Sequence, residues 1–155
     1  MKEWEDLTID TNVLMHCSNP NEDRFEDARA FVMAFLESPT GMCVDEGFSV
    51  DSAQNRSHIG SEYLTWLVPG TLGYQAVAHV AASNRLRFTS KKIAHSDLQR
   101  LNKLIKDKSD RPFVRVAMNS SSKVLVSHDV KCFRASVCAK VSRDLQVTVL
   151  AAADV

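Results

Sequence analysis

Lys123-Val124-Leu125-Val126-Ser127-His128-Asp129 holds an unbroken branched apolar run framed by polar residues. Such a strand offers no face to water, so it belongs in a parallel sheet covered on both sides. Parallel neighbours must be joined by crossover connections, usually helices. Apolar residues recur at helical spacing in residues 24–36, at Phe25, Ala28, Phe31, Val32 and Phe35. The same period returns in residues 59–68, with Tyr63, Leu64 and Leu67, and in 72–86, with Ala76, Val77, Val80 and Ala81. A further helix starts at Ser96-Asp97, with Leu98, Leu101, Leu104 and Ile105 on one face. Ser109-Asp110-Arg111-Pro112 opens another, with Pro in the first turn, where its missing N–H costs little.

Further strands are expected at residues 8–15, running into a polar turn, at 42–45 and at 146–150. An extended segment or loop begins at Phe88, and residues 46–57 form a polar loop. Ser38-Pro39-Thr40-Gly41 and Pro69-Gly70 break the helices before them. Strands alternating with helices predict an α/β sandwich with a mostly parallel sheet.

At 155 residues the chain is expected to form one domain, spanning 1–155. Its 45% apolar and 25% charged residues exclude a disordered or fibrous chain. No apolar run approaches the roughly 18 residues of a membrane span. The acidic start, Met1-Lys2-Glu3-Trp4-Glu5-Asp6, resembles neither a secretory signal nor a transit peptide. A cytoplasmic protein with no membrane partner is the expectation. Its four cysteines, Cys17, Cys43, Cys132 and Cys138, form no C-x-x-C pair and read as reduced thiols. His128, Cys132 and Cys138 fit no familiar zinc spacing. Net charge is zero, yet residues 1–62 hold 13 Asp/Glu against 4 Lys/Arg, and residues 63–155 hold 6 against 15. Eight Lys/Arg fall in residues 85–108, as a solvated helix face or a phosphate-binding rim.

Two of the expected strands end in an acid, at Asp10 and at Asp129. Parallel sheets bind ligands beyond the carboxyl ends of their strands, where the strand order reverses. If strands 1 and 4 flank that point, the two carboxylates are neighbours. Adjacent carboxylates repel unless they share a proton or a cation. Oxygen ligands select hard ions such as Mg²⁺ or Mn²⁺, which activate water and stabilise charge on phosphoryl oxygens.

Ile9-Asp10-Thr11-Asn12-Val13-Leu14 resembles the opening signature of PIN-domain nucleases, hydrophobic-Asp-Thr/Ser-Asn-hydrophobic-hydrophobic. Glu62, in Ser61-Glu62-Tyr63-Leu64, matches the family's second acid, on a helix after strand 2. Asp110, in Asp110-Arg111-Pro112-Phe113-Val114, matches the third, at the start of the helix before strand 4. Asp129, closing Leu125-Val126-Ser127-His128-Asp129, matches the fourth, and Lys131-Cys132-Phe133 resembles the tail of that motif. The resemblance covers nearly the whole chain, in order. It implies a three-layer α/β/α sandwich with strand order 3-2-1-4-5. It also implies a site in which Asp10, Glu62, Asp110 and Asp129 hold Mg²⁺ or Mn²⁺ for phosphodiester cleavage, commonly of single-stranded or structured RNA. A homodimer and a protein partner such as an antitoxin belong to the same implication. The long acidic loop after Asp45 makes Asp45 a competitor of Glu62, and this motif is more like stand-alone PIN-like proteins than compact toxins.

Each acid also has a plain structural alternative. Asp10 and Asp129 could cap turns or helices, Asp110 could complement a helix dipole, and Glu62 could face solvent. Asn12 is expected to orient the Asp10 turn, Ser127 to hold a carboxylate or water, and His128 is a candidate general base. Two rivals remain. Haloacid-dehalogenase-type phosphatases need a second Asp where this chain has Asn12, and a PIN fold can serve as a catalytically weak scaffold.

Overall fold

The computed structural model describes residues 3–155. Five strands, β1 (Asp6–Ile9), β2 (Gly41–Asp45), β3 (Leu86–Thr89), β4 (Val124–Val126) and β5 (Thr148–Leu150), form one sheet in the order β3-β2-β1-β4-β5. Every pairing is parallel. Thr8 sits opposite Leu125 and Ile9 opposite Val126, so β1 and β4 end level with each other. The order reverses between these two strands, which opens a crevice past Ile9 and Val126.

Among the described residues seven α-helices surround the sheet: α1 (Thr11–His16), α2 (Phe25–Glu37), α3 (His58–Trp66), α4 (Leu72–Ala82), α5 (His95–Leu104), α6 (Arg111–Asn119) and α7 (Ala135–Leu145). A 3₁₀ turn follows at Ala152–Asp154. Every residue of β1, β2 and β4 is buried, so side chains on both faces of these strands are covered. α6 packs on β1, β2 and β4, whereas α1, α2 and α4 pack on one another. The result is the expected three-layer α/β/α sandwich with order 3-2-1-4-5. No described helix is long and apolar enough to cross a membrane.

Several boundaries differ from the sequence expectation. The strand expected at 8–15 stops at Ile9, and Thr11–His16 is helical. Asp10 is the last extended residue, at φ −70° and ψ 145°, and the helix begins directly after it. The helix expected at 72–86 ends at Ala82, because Asn84 takes a left-handed φ of 57° and turns the chain into β3. Among residues 123–129 only Val124–Val126 is strand, and α7 fills the connection to β5.

Three contacts set the frame of the crevice. Gly73 lets α4 approach α1: a Cβ there would lie 2.0 Å from the Leu14 carbonyl oxygen. Asp6 accepts hydrogen bonds from the Ser121 N–H at 3.0 Å and the Ser122 N–H at 2.8 Å, tying the base of β1 to the turn before β4. The Arg85 guanidinium caps the end of α2, donating to the carbonyls of Phe35, Leu36 and Thr40 at 2.7–3.1 Å. It also stacks over the Phe35 ring. Arg85 is therefore structural and not part of a phosphate-binding rim.

Candidate active site

The crevice between β1 and β4 collects residues that are more than 100 positions apart in the chain. Asp10 is buried at its floor. Its Oδ2 accepts from the Ser127 hydroxyl at 2.6 Å and from the Asn12 amide at 2.8 Å. Both bonds fall on the same oxygen and come from opposite sides of the crevice. The Asn12 Oδ1 accepts the His128 N–H at 3.0 Å, and the Ser127 Oγ accepts the Asp129 N–H at 3.1 Å. Asn12 and Ser127 thus fasten the β1 end to the β4 end. From above, Tyr63 of α3 donates its hydroxyl to the Ile9 carbonyl at 2.5 Å, fixing the peptide before Asp10. Burial holds that phenol protonated, well above its usual range.

Asp10 stands at the N-cap of α1 and makes no side-chain capping bond. Asp110 stands at the N-cap of α6 and makes none either. Neither acid therefore caps its helix by a side-chain hydrogen bond, while Asp110 keeps the place at the start of α6 where a carboxylate complements the helix dipole. Asp110 is buried, and its Oδ2 has no hydrogen-bond partner among the described residues. Leaving a buried polar atom unpaired costs about 1–3 kcal/mol, so this oxygen is a fixed expense of the fold. Asp129 is half-buried, and its Oδ1 accepts from the N–H groups of Lys131 and Cys132 at 2.8 and 2.9 Å. One carboxyl oxygen of Asp129 therefore shapes the turn after β4. Glu62, one position before Tyr63, is half-buried on α3.

These charges act on one another. Burial above all, with the carboxylates of Asp110 and Asp129 adding to it, raises the Asp10 pKa to about 6 against the opposing bonds from Ser127 and Asn12. Burial is also the main reason the Asp110 pKa is raised, with the charges of Asp129, Asp107 and Glu62 adding to it and the nearby Cys132 thiol lowering it. Asp10 thus feels the charges of Asp110 and Asp129, and Asp110 those of Asp129 and Glu62. Among the described residues no three His, Cys, Asp or Glu side chains converge tightly enough to hold a metal ion as they stand.

Asp45 differs in kind. It accepts from the Ser57 hydroxyl and from the backbone N–H groups of His58 and Ile59 at 2.8 and 3.1 Å, and Lys91 lies 3.6 Å away. These donors outweigh its burial and hold its pKa below the usual carboxylate range. Asp45 caps α3, so the competitor of Glu62 is a structural residue. Lys91 is committed with it, and Arg100 pairs with Asp97 at 3.1 Å.

His128 points away from the acids. Its Nδ1 meets the Nδ1 of His16 at 3.0 Å, the two rings stack, and its Nε2 accepts the Ala152 N–H at 3.3 Å. Burial, with His16 beside it, lowers its pKa to about 4. A ring so engaged does not serve as a general base in the crevice. Arg24 lines a cavity of about 110 Å³ with Ser127, His128 and Asp129, on the side of β4 that faces β5. The sequence reading missed Tyr63 as a support of this site and His16 as the partner of His128. Tyr63 carried the one usable signal, its place beside Glu62 on an apolar helix face. All four cysteines are free. No protein-family model, no curated protein and no solved structure matches this chain.

Proposed function

We propose that the chain is a divalent-metal-dependent nuclease of PIN type, cleaving phosphodiester bonds in RNA. The observation that carries this reading is the pair of buried, raised carboxyls, Asp10 and Asp110, with one Asp110 oxygen unpaired. A fold keeps such groups at a cost in stability, and active sites are where such costs are concentrated. Oxygen-only donors with unspent negative charge fit Mg²⁺ or Mn²⁺.

Asp10, Glu62, Asp110 and Asp129 would hold the ion. When bound, Mg²⁺ or Mn²⁺ supplies a more acidic water and neutralises charge on the phosphoryl oxygens. Asp10 enters with Oδ2 already fixed by Ser127 and Asn12, so its other oxygen meets a ligand with little reorganisation. Tyr63 holds the strand end beneath it. RNA as the substrate rests on the family resemblance.

The test is Mn²⁺ calorimetry on wild type, Asp10→Asn and Asp129→Asn, with cleavage of a labelled single-stranded RNA on the same samples. Wild type is expected to bind Mn²⁺ and cleave in its presence, and both variants to lose cleavage while staying folded. Absence of Mn²⁺ and Mg²⁺ binding by the wild type would reject the nuclease reading in favour of a scaffold.

A further inference from the structure

We infer that His16 and His128 form a positioning pair, locked in defined tautomers, that sets the separation of the Asp10 and Asp129 ends of the site. This rests on the nuclease reading for its catalytic consequence, but not for its chemistry. The hydrogen bonds dictate the proton positions. His128 Nε2 accepts the Ala152 N–H, so it carries a lone pair. In the neutral ring the proton then sits on Nδ1, which faces His16 Nδ1 at 3.0 Å. Two N–H groups cannot share that contact, so His16 Nδ1 is the acceptor. Its own proton is placed on Nε2, which faces the Glu22 carboxylate at 4.0 Å.

A directed chain follows: Ala152 N–H to His128, His128 to His16, and His16 toward Glu22. It joins the 3₁₀ turn after β5, the loop after β4 and the last turn of α1. The same loop is held to the first turn of α1 by the bond from the His128 N–H to Asn12. Asn12 in turn donates to Asp10. Position 128 therefore grips α1 twice, by its backbone at the first turn and by its ring at the last. Two grips fix the angle of α1 as well as its distance, and Asp10 and Asn12 begin that helix. His16 touches none of the acids, so it acts through this geometry. The Arg24 and Asp27 charges also reach His128, Arg24 from the segment before α2 and Asp27 from α2 itself.

Long-range ¹H–¹⁵N correlation spectra of the imidazoles test the tautomers in the wild-type protein. The expected result is His128 protonated on Nδ1 and His16 protonated on Nε2. His128 protonated on Nε2 would overturn the inference whether or not the chain cleaves RNA. His16→Phe keeps the stacking and removes the acceptor, whereas His16→Asn keeps an acceptor near the Nδ1 position. With wild type active, His16→Phe is expected to lower kcat about 10–100-fold, as loss of a group supporting metal ligands commonly does. KM is expected to change little, and His16→Asn to restore most of kcat. Equal kcat in wild type and His16→Phe would overturn the positioning role and leave the nuclease reading standing. Absence of cleavage by the wild type would instead strike the nuclease reading, with the tautomers still deciding the pair.

Discussion

Asp10→Asn is expected to make the metal-free protein more stable at neutral pH while abolishing its chemistry. Below pH 3.8 the Asp10 carboxyl is protonated in both the folded and the unfolded chain, and contributes no difference. Between 3.8 and about 6 the unfolded chain ionises first, so stability falls as pH rises through this window. Above both values the folded state carries the full penalty. Holding the carboxyl at about 6 instead of 3.8 favours its protonated form by about 3 kcal/mol, at about 1.4 kcal/mol per tenfold change in proton affinity. An amide resembles the protonated form and removes the penalty. The Ser127 and Asn12 bonds, which favour the charged form, are already counted in that net value. The net gain is about 3 kcal/mol, or roughly 6–12 °C in Tm at this chain length.

Urea unfolding of both proteins in EDTA, at intervals from pH 3.5 to 8, measures it. The two curves should coincide near pH 3.5, separate through pH 4–6 and run parallel above pH 7. Saturating Mn²⁺ should reverse the order by stabilising wild type alone. A variant less stable than wild type at pH 7.5 in EDTA, or a difference independent of pH, would refute the electrostatic reasoning.

Asp45→Ala should behave in the opposite way. Its lowered pKa means stability that is present above pH 3.8 and lost as pH falls, so the variant should lose about 1–2 kcal/mol at pH 7 as a helix cap is removed. Mn²⁺ affinity should persist, and its loss in calorimetry would return Asp45 to the ligand set. Gly73→Ala places a methyl 2.0 Å from the Leu14 carbonyl oxygen, and overpacking against backbone should cost at least about 1–3 kcal/mol. An unchanged urea midpoint would show that α4 can move off α1 freely.

The sheet was readable in the sequence because its central strands leave no polar face, and such runs have one place to go. The helix boundaries were less readable where length was short. α1 has six residues, under two turns, so Val13, Leu14 and Met15 cannot display a helical period and extend the strand pattern of Leu7 and Ile9. α7 buries only Val141 and Leu145, too sparse a stripe to stand out. α4 ends without glycine, since Asn84 supplies the left-handed turn.

Among the acids, sequence spacing could not separate Asp45 from Glu62. The donors that distinguish them reach Asp45 only in the fold: Ser57, His58 and Ile59 when α3 folds back over β2, and Lys91 when β3 pairs with β2. His16 had no sequence signal. Its partner lies 112 residues away, and only the pairing of β1 with β4 brings them together.

The reversal of strand order has a consequence in time as well as in space. β1 is made first, yet it lies between β2 and β4, and one of its two flanks stays open until residues 124–126 have been synthesised. Ser127, which completes the hold on Asp10, and Asp129 follow immediately after. A growing chain therefore carries an exposed strand edge but no assembled crevice for most of its synthesis. The arrangement of Asp10, Ser127 and Asp129 is thus withheld from a half-made molecule, including one still attached to the message that encodes it.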